Sequence, residues 1–424
     1  MIRWGRLFFF FAFLFACDTA SNIKSPKQNY FVKYFGGDGD QTAVDLIVNS
    51  DGTFYILGNS RVSTNALHKV YLAKANEFGE LIWQKTYPSD VEMEAKDFLL
   101  TSDGNYLVVV ANRNLSSGKT DLVLGRYKLD ATGAVKSDTI LVSNAYGNSV
   151  TELMDGGFIA EGYQNINGLL SEIHLRVSSP WGIYLGAPGD TWLPNYKDKA
   201  DSNSYVGVNA IQTDATHFYT FGYTNSIYST GNNNKFWVSY LANNGSAKNT
   251  TDNGLFDNMY PSDKILTRAI KAGRGGYLLV GISSTSNEDS LKVAITNANS
   301  FSFDKYGVDT DAVVAGLGKS RAPSPPPNYA TAFSAASYNF ILTNTYRTAT
   351  NKSDILLLKL ANDRLKTLWS SPVQLGGDGD DTAAAVAELP DGHIIVLGTM
   401  QLGNPPAQFK IALMKLNSQG QLAP

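Results

Sequence analysis

The stretch GGDGDQTAVDLIVNSDGTFYILG, Gly36 to Gly58, is written again as GGDGDDTAAAVAELPDGHIIVLG, Gly376 to Gly398. Laid over each other without a gap, Tyr34–Ser60 and Gln374–Met400 are identical at eleven positions. Both copies share one order: a polar glycine-rich turn, an alternating run (TAVDLIV, TAAAVAEL), then Asp-Gly leading into an apolar run. Period-two alternation predicts a half-buried strand, and Asp-Gly tolerates positive φ, so each copy predicts a two-residue β-hairpin turn between two strands.

Weaker copies lie between them. Asp103-Gly104 precedes NYLVVV and Asp155-Gly156 precedes GFIAEG. The signal fades at Asp214-Ala215, Arg274-Gly275 and Ala336-Ser337, and returns at Asp391-Gly392. With Asp51-Gly52 these make seven anchors at a mean spacing of roughly 57 residues. After each anchor comes a third alternating run, such as KVYLAKA, DLVLGRY, EIHLRVS or FKIALMK. A Gly or Asn turn then leads to a fourth, clearest in ELIWQKTY and LKTLWSSPVQL. Four antiparallel strands repeated seven times predict an all-β chain folded as a seven-bladed β-propeller. The last unit ends FKIALMKLNSQGQLAP without a fourth strand, while VKYFGG near the start stands where PVQLGG stands before the last unit. The N-terminal strand is therefore expected to close the last blade, leaving no open sheet edge.

The units resemble those of bacterial β-propeller repeat proteins of the envelope and secreted proteome. The resemblance rests on KANEFGELIWQKTYPSD (Lys74–Asp90), KLDATG (Lys128–Gly133) and KLNSQG (Lys415–Gly420). It implies fold rather than activity, because propellers host many functions. The chain's start points the same way. Arg3 and Arg6 precede an apolar run, Leu7–Ala16, too short to span a bilayer. Leu14-Phe15-Ala16-Cys17 resembles the lipobox of bacterial lipoproteins. That resemblance implies cleavage after residue 16 and lipidation of Cys17; the polar segment that follows reads as a tether over 17–28, and the repeats as one propeller domain over 29–424. The lipobox resemblance places the protein in the bacterial cell envelope, anchored to the membrane and expected at the outer membrane. Cys17 is the only cysteine, which excludes internal disulfides, thiolate metal sites and a cysteine nucleophile.

The composition narrows the partners. The formal net charge of −3 offers no basic surplus for nucleic acid. The four histidines fall on different units, with no HExxH, Gly-x-Ser-x-Gly or Walker pattern. His174 sits between apolar neighbours and is expected to be a core imidazole; His217 and His393 follow turns and are expected to be solvated. No cofactor is implied by any motif.

Acids recur where one blade passes to the next: Asp40, Glu92, Asp263 and Asp380, with Asn144 and Asn203 in the same slot and Asp38, Asp90, Asp378 and Asp381 nearby. An acidic collar of Asp38, Asp40, Asp378, Asp380 and Asp381 can hold Ca²⁺ through oxygen ligands or meet a basic partner. The alternative is turn chemistry, in which Asp and Asn bond their own backbone. Trp192 and Tyr196 in the insertion 187–203, and Tyr228 in the insertion 223–236, are candidate binding aromatics without a repeat slot. The expected function is non-enzymatic binding of an envelope protein or glycan. The alternatives are a scaffold subunit of an outer-membrane assembly and a glycan-active enzyme using the acids at the channel mouth.

Overall fold

A computed structural model describes residues 30–63, 65–166, 168–177, 191–192, 203–226, 235–242, 254–255, 264–284, 289–296, 308–314, 329–347, 352–362, 365–403 and 407–423. They form seven four-stranded antiparallel sheets, and no helix occurs among them. The protein is a seven-bladed β-propeller. In blade 1, for example, the order from the channel outward is Asp40–Val48, Phe54–Arg61, Lys69–Ala75 and Leu81–Thr86. Blades 2 to 6 begin at Glu92, Ala145, Asn203, Lys264 and Ala330.

Blade 7 is built from both ends of the chain. Thr382–Glu388, Ile394–Leu402 and Gln408–Leu416 are completed by Phe31–Phe35, which pairs with the last of them from Phe31↔Lys415 to Phe35↔Ile411. The strand expected from VKYFGG closes the ring. Blade 6 ends with Val373–Leu375 in the matching place.

The Asp-Gly turns differ from the expected two-residue form. Asn49 N donates to Thr53 O and Gly52 N to Asn49 O, which leaves a three-residue loop with Gly52 left-handed at φ 80°. Asp51 Oδ1 accepts the N–H of Thr53, two residues on. The same pattern recurs at Leu153–Gly157 and Leu389–His393, and at Ala272–Gly276 with no Asp. Left-handed Gly275 and Gly276 keep that last turn without an Asp, which is why its anchor is hard to see in the sequence.

Innermost strands carry a bulge in six blades, at Ala43/Asp45, Ala95/Asp97, Gly147/Ser149, Gly207/Asn209, Leu266/Arg268 and Ala383/Ala385. A bulge bends the strand and re-aims side chains at the channel. The core is divided among the seven blade interfaces, one apolar cluster in each. The smallest joins blades 3 and 4: Leu153, Ile159, Ala210, Phe218 and Leu241.

Candidate functional site

One face of the ring carries the turns between blades and the loops between second and third strands. Here the two GGDGD segments are held by cations from the preceding blade. Lys410 Nζ donates to the carbonyls of Gly37 and Gly39, at 2.6 and 2.9 Å. Arg347 Nη2 does the same for Gly377 and Gly379, at 2.8 and 3.2 Å. The motif thus presents carbonyl oxygens to a basic side chain.

The acids of these turns are tied into the fold. Asp40 pairs with Arg61 at 2.9 Å and accepts the N–H of Phe409 at 3.1 Å. Glu92 accepts the N–H of His68 at 2.8 Å and meets its imidazole. Asp380 takes Lys352 Nζ and the N–H of Ser353, each at 3.0 Å. Asp381 is buried and accepts the N–H groups of Gly377 and Gln401; burial raises its pKa. Beside it, Asp354 pairs with Arg347 at 2.9 Å. Asp378 is exposed. Asp263 lies outside the described residues, as do Cys17, Tyr196 and Tyr228. Trp192 has a repeat slot after all: the backbone of Thr191–Trp192 pairs with Leu175 and His174 as the outer strand of blade 3. Two residues are too few to show alternation.

Asp38 is placed differently. It lines a cavity of about 370 Å³ on this face, with Gly37, Ser60, Val62, Leu67, Lys69, Tyr71, Gln84, Lys85 and Thr86. Val62 and Leu67 are exposed, and the Tyr71 hydroxyl donates to Gln84 Oε1 at 2.7 Å. The described lining has two lysines and one carboxylate.

The channel is crossed by an ion triad. Arg268, at the bulge of blade 5, reaches Asp45 of blade 1 at 3.3 Å and Asp97 of blade 2 at 3.4 Å. Each is three blades away around a ring of seven, so the guanidinium spans the axis. Asp97 also accepts the N–H of Val150 at 2.9 Å. Burial pushes Asp97 up to about 8, with Arg268 pulling down and Asp45 adding to the rise.

A second buried polar group lies between blades 3 and 4, where Glu161, Glu172 and His174 are all fully buried. Glu161 and His174 are paired across neighbouring strands, and His174 Nδ1 meets Glu161 Oε2 at 2.5 Å. Trp237 Nε1 of blade 4 donates to Glu172 Oε2 at 3.3 Å. Glu161 Oε1, Glu172 Oε1 and His174 Nε2 have no hydrogen-bond partner among the described residues. Burial raises both glutamates, Glu172 to about 8, and lowers His174. His174 is buried as expected for a core imidazole, but its neighbours there are two glutamates that no motif marks. The available signal was EGYQ and EIHL, acids inside strands that are apolar in the other units.

No protein-family model matches the chain, and no curated protein matches it. Solved structures do. Polysaccharide lyase Uly1 is similar with a TM-score of 0.50 at 10% identity, over 94% of this chain and 94% of that one. Extracellular domains 1–2 of Drosophila Semaphorin 1b give 0.48 at 10% identity, over 91% of this chain and 86% of that one. The β-propeller domain of the Trilobed protease from Pyrococcus furiosus gives 0.44 at 7%, over 92% and 97%. At such identities the likeness concerns the fold alone.

Proposed function

We propose that this chain is a lipid-anchored binding propeller of the bacterial cell envelope, tethered through Cys17 and holding an envelope glycan or protein on the face that carries the blade-joining turns. The observation that supports this reading is the cavity beside Asp38. Its size falls in the usual range for small-ligand sites, about 300–1,000 Å³. Hydroxyl, amide and lysine groups around one carboxylate suit a polar ligand rich in hydroxyls, and Val62 and Leu67 offer apolar edges for the flat side of a sugar. A glycosidase needs two carboxyl groups across the scissile bond, whereas this lining holds Asp38 alone. Of the other collar acids, Asp40, Asp380 and Asp381 are engaged in ion pairs or backbone hydrogen bonds, and the exposed Asp378 is not part of this lining.

The test uses the full-length chain in detergent against a panel of neutral and acidic oligosaccharides, with the reaction mixtures examined for shortened products. Binding that falls roughly tenfold or more in Asp38→Ala supports the reading, as expected for loss of a charged hydrogen bond. Shortened or unsaturated products would replace it with the glycan-active enzyme. Mass spectrometry of the mature N-terminus tests the anchor: diacylglycerol on Cys17 is expected, and an unmodified thiol would remove the envelope tether.

A further inference from the structure

Position by position, the blades put the same kind of residue where second and third strands face the next blade. The slot of Glu161 holds Leu57, Val110, Phe221, Val280, Leu342 and Leu397 in the other blades. Opposite them, the slot of His174 holds Leu72, Leu124, Val238, Val293, Leu357 and Leu413. Two residues earlier, the slot of Glu172 holds Val70, Leu122, Phe236, Leu291, Ile355 and Ile411. Only blade 3 replaces this apolar trio with two acids and an imidazole, all three fully buried.

The facing blade is adapted to them. Gly207 lies so close that a Cβ there would stand 1.9 Å from Glu161 Oε1. Thr220 and Ser239, paired across their strands, are buried on the side of blade 4 that packs on blade 3. The Thr220 hydroxyl lies beside Glu172, and the Ser239 hydroxyl has no hydrogen-bond partner among the described residues. Glu161 Oε1, Glu172 Oε1, His174 Nε2 and the Ser239 hydroxyl are therefore orphaned in one interface, where buried polar atoms are rarely left without a partner.

We propose that Glu161, Glu172 and His174, all on blade 3, bind one divalent transition-metal ion, zinc by preference, in the interface that blade 4 covers. One ligand atom from each lies within 4.8 Å of the other two. Ligand atoms about 2.1 Å from zinc stand about 3.4 Å apart, so small side-chain rotations close the set. Two carboxylates neutralise a divalent charge and leave the imidazole neutral, as metal ligation needs. The nitrogen donor and the dry, low-coordination setting select zinc over calcium or magnesium, which take six or more oxygens or keep their waters. Trp237 holds Glu172 from outside the ligand set. No catalytic role follows, because the trio has no exposed surface.

The rival account is that protons alone neutralise the group. Full-length protein without a histidine tag is loaded with ZnCl₂, dialysed and assayed for metal, and its thermal midpoint is followed with and without EDTA. The variants are Glu172→Gln, and Glu161→Leu/Glu172→Ile/His174→Leu together, which restores the apolar trio of the other blades and is expected to fold. About one zinc per chain is expected in the native protein, with a midpoint that EDTA lowers. Both variants should retain at least roughly tenfold less metal and ignore EDTA. A native protein that holds no zinc, or variants that hold as much as it does, would overturn the proposal.

Discussion

Arg268 and Asp97 meet at 3.4 Å across the axis of the ring, from blades that share no interface. With Asp45, they make a staple through the channel rather than a lining for it. A propeller held only by neighbour contacts can flex at any interface, whereas this triad ties blade 5 directly to blades 1 and 2.

Arg268→Met should therefore destabilise the whole ring. It leaves Asp97 and Asp45 facing each other without a cation, Asp97 still accepting the N–H of Val150. Breaking a buried pair costs about 3–5 kcal/mol, and the partial exposure of Arg268 reduces this to roughly 1–3. Urea unfolding reads the loss directly. Adding Asp45→Asn and Asp97→Asn to Arg268→Met should recover most of it, and no recovery would mean the arginine acts through packing.

The same triad gives a pH dependence. The folded-state pKa of Asp97, about 8, lies above the unfolded value near 3.9. Between these values the folded chain holds more protons, so stability falls as pH rises. The charged and titratable neighbours are Arg268, Asp45 and Tyr329, the last itself raised to about 12 by burial. The slope should reach at most about 1.4 kcal/mol per pH unit between pH 5 and 8. Asp97→Asn should flatten that component, narrowing its difference from the native protein as pH rises. Parallel unfolding curves for the two across this range would refute the assignment.

The ring was readable from sequence because its rules are local. Asp-Gly, alternation and the echo of Gly36–Gly58 at Gly376–Gly398 each depend on a few neighbouring residues. So does the closing strand, which follows from matching VKYFGG to PVQLGG. The polar groups were not readable, because each is assembled by the topology. Asp45, Asp97 and Arg268 stand at one bulge position in three blades, yet only closure of the ring aims them at each other. Glu161 and Glu172 are eleven residues apart in sequence, and their burial depends on blade 4 packing over them. The turn acids stay ambiguous in sequence for the opposite reason: an Asp at a corner looks the same whether it serves a ligand or, like Asp40 and Asp380, a neighbouring strand.

Glycine at the blade 3–4 interface is required for space. Gly207→Ala would bring a Cβ to 1.9 Å from Glu161 Oε1 and 2.7 Å from the backbone oxygen of Gly162. The carboxylate can swing but the backbone cannot, so the cost should be about 1–3 kcal/mol. Gly377→Ala, with no atom within 4 Å of the added carbon, is the control and should be near neutral. Equal thermal midpoints for the two variants would show that the interface opens more freely than its packing implies.

The seam should govern how the molecule fails. Phe35 is buried between blades 7 and 1, and Phe31 packs on the same cluster. Deleting residues 29–35 removes both and leaves Gln408–Leu416 as an unpaired edge strand. Burial of Phe35 alone contributes roughly 1.5–3 kcal/mol, and the bare edge invites pairing with another chain. The truncated protein is expected to unfold at lower urea and to form dimers or larger species, read by light scattering. A synthetic peptide of residues 29–37, carrying the missing strand and the Gly37 carbonyl that Lys410 meets, should bind that edge and return the protein to monomer. A truncated chain that stays monomeric with an unchanged midpoint would mean that neighbouring blades, rather than the closing strand, hold the ring shut.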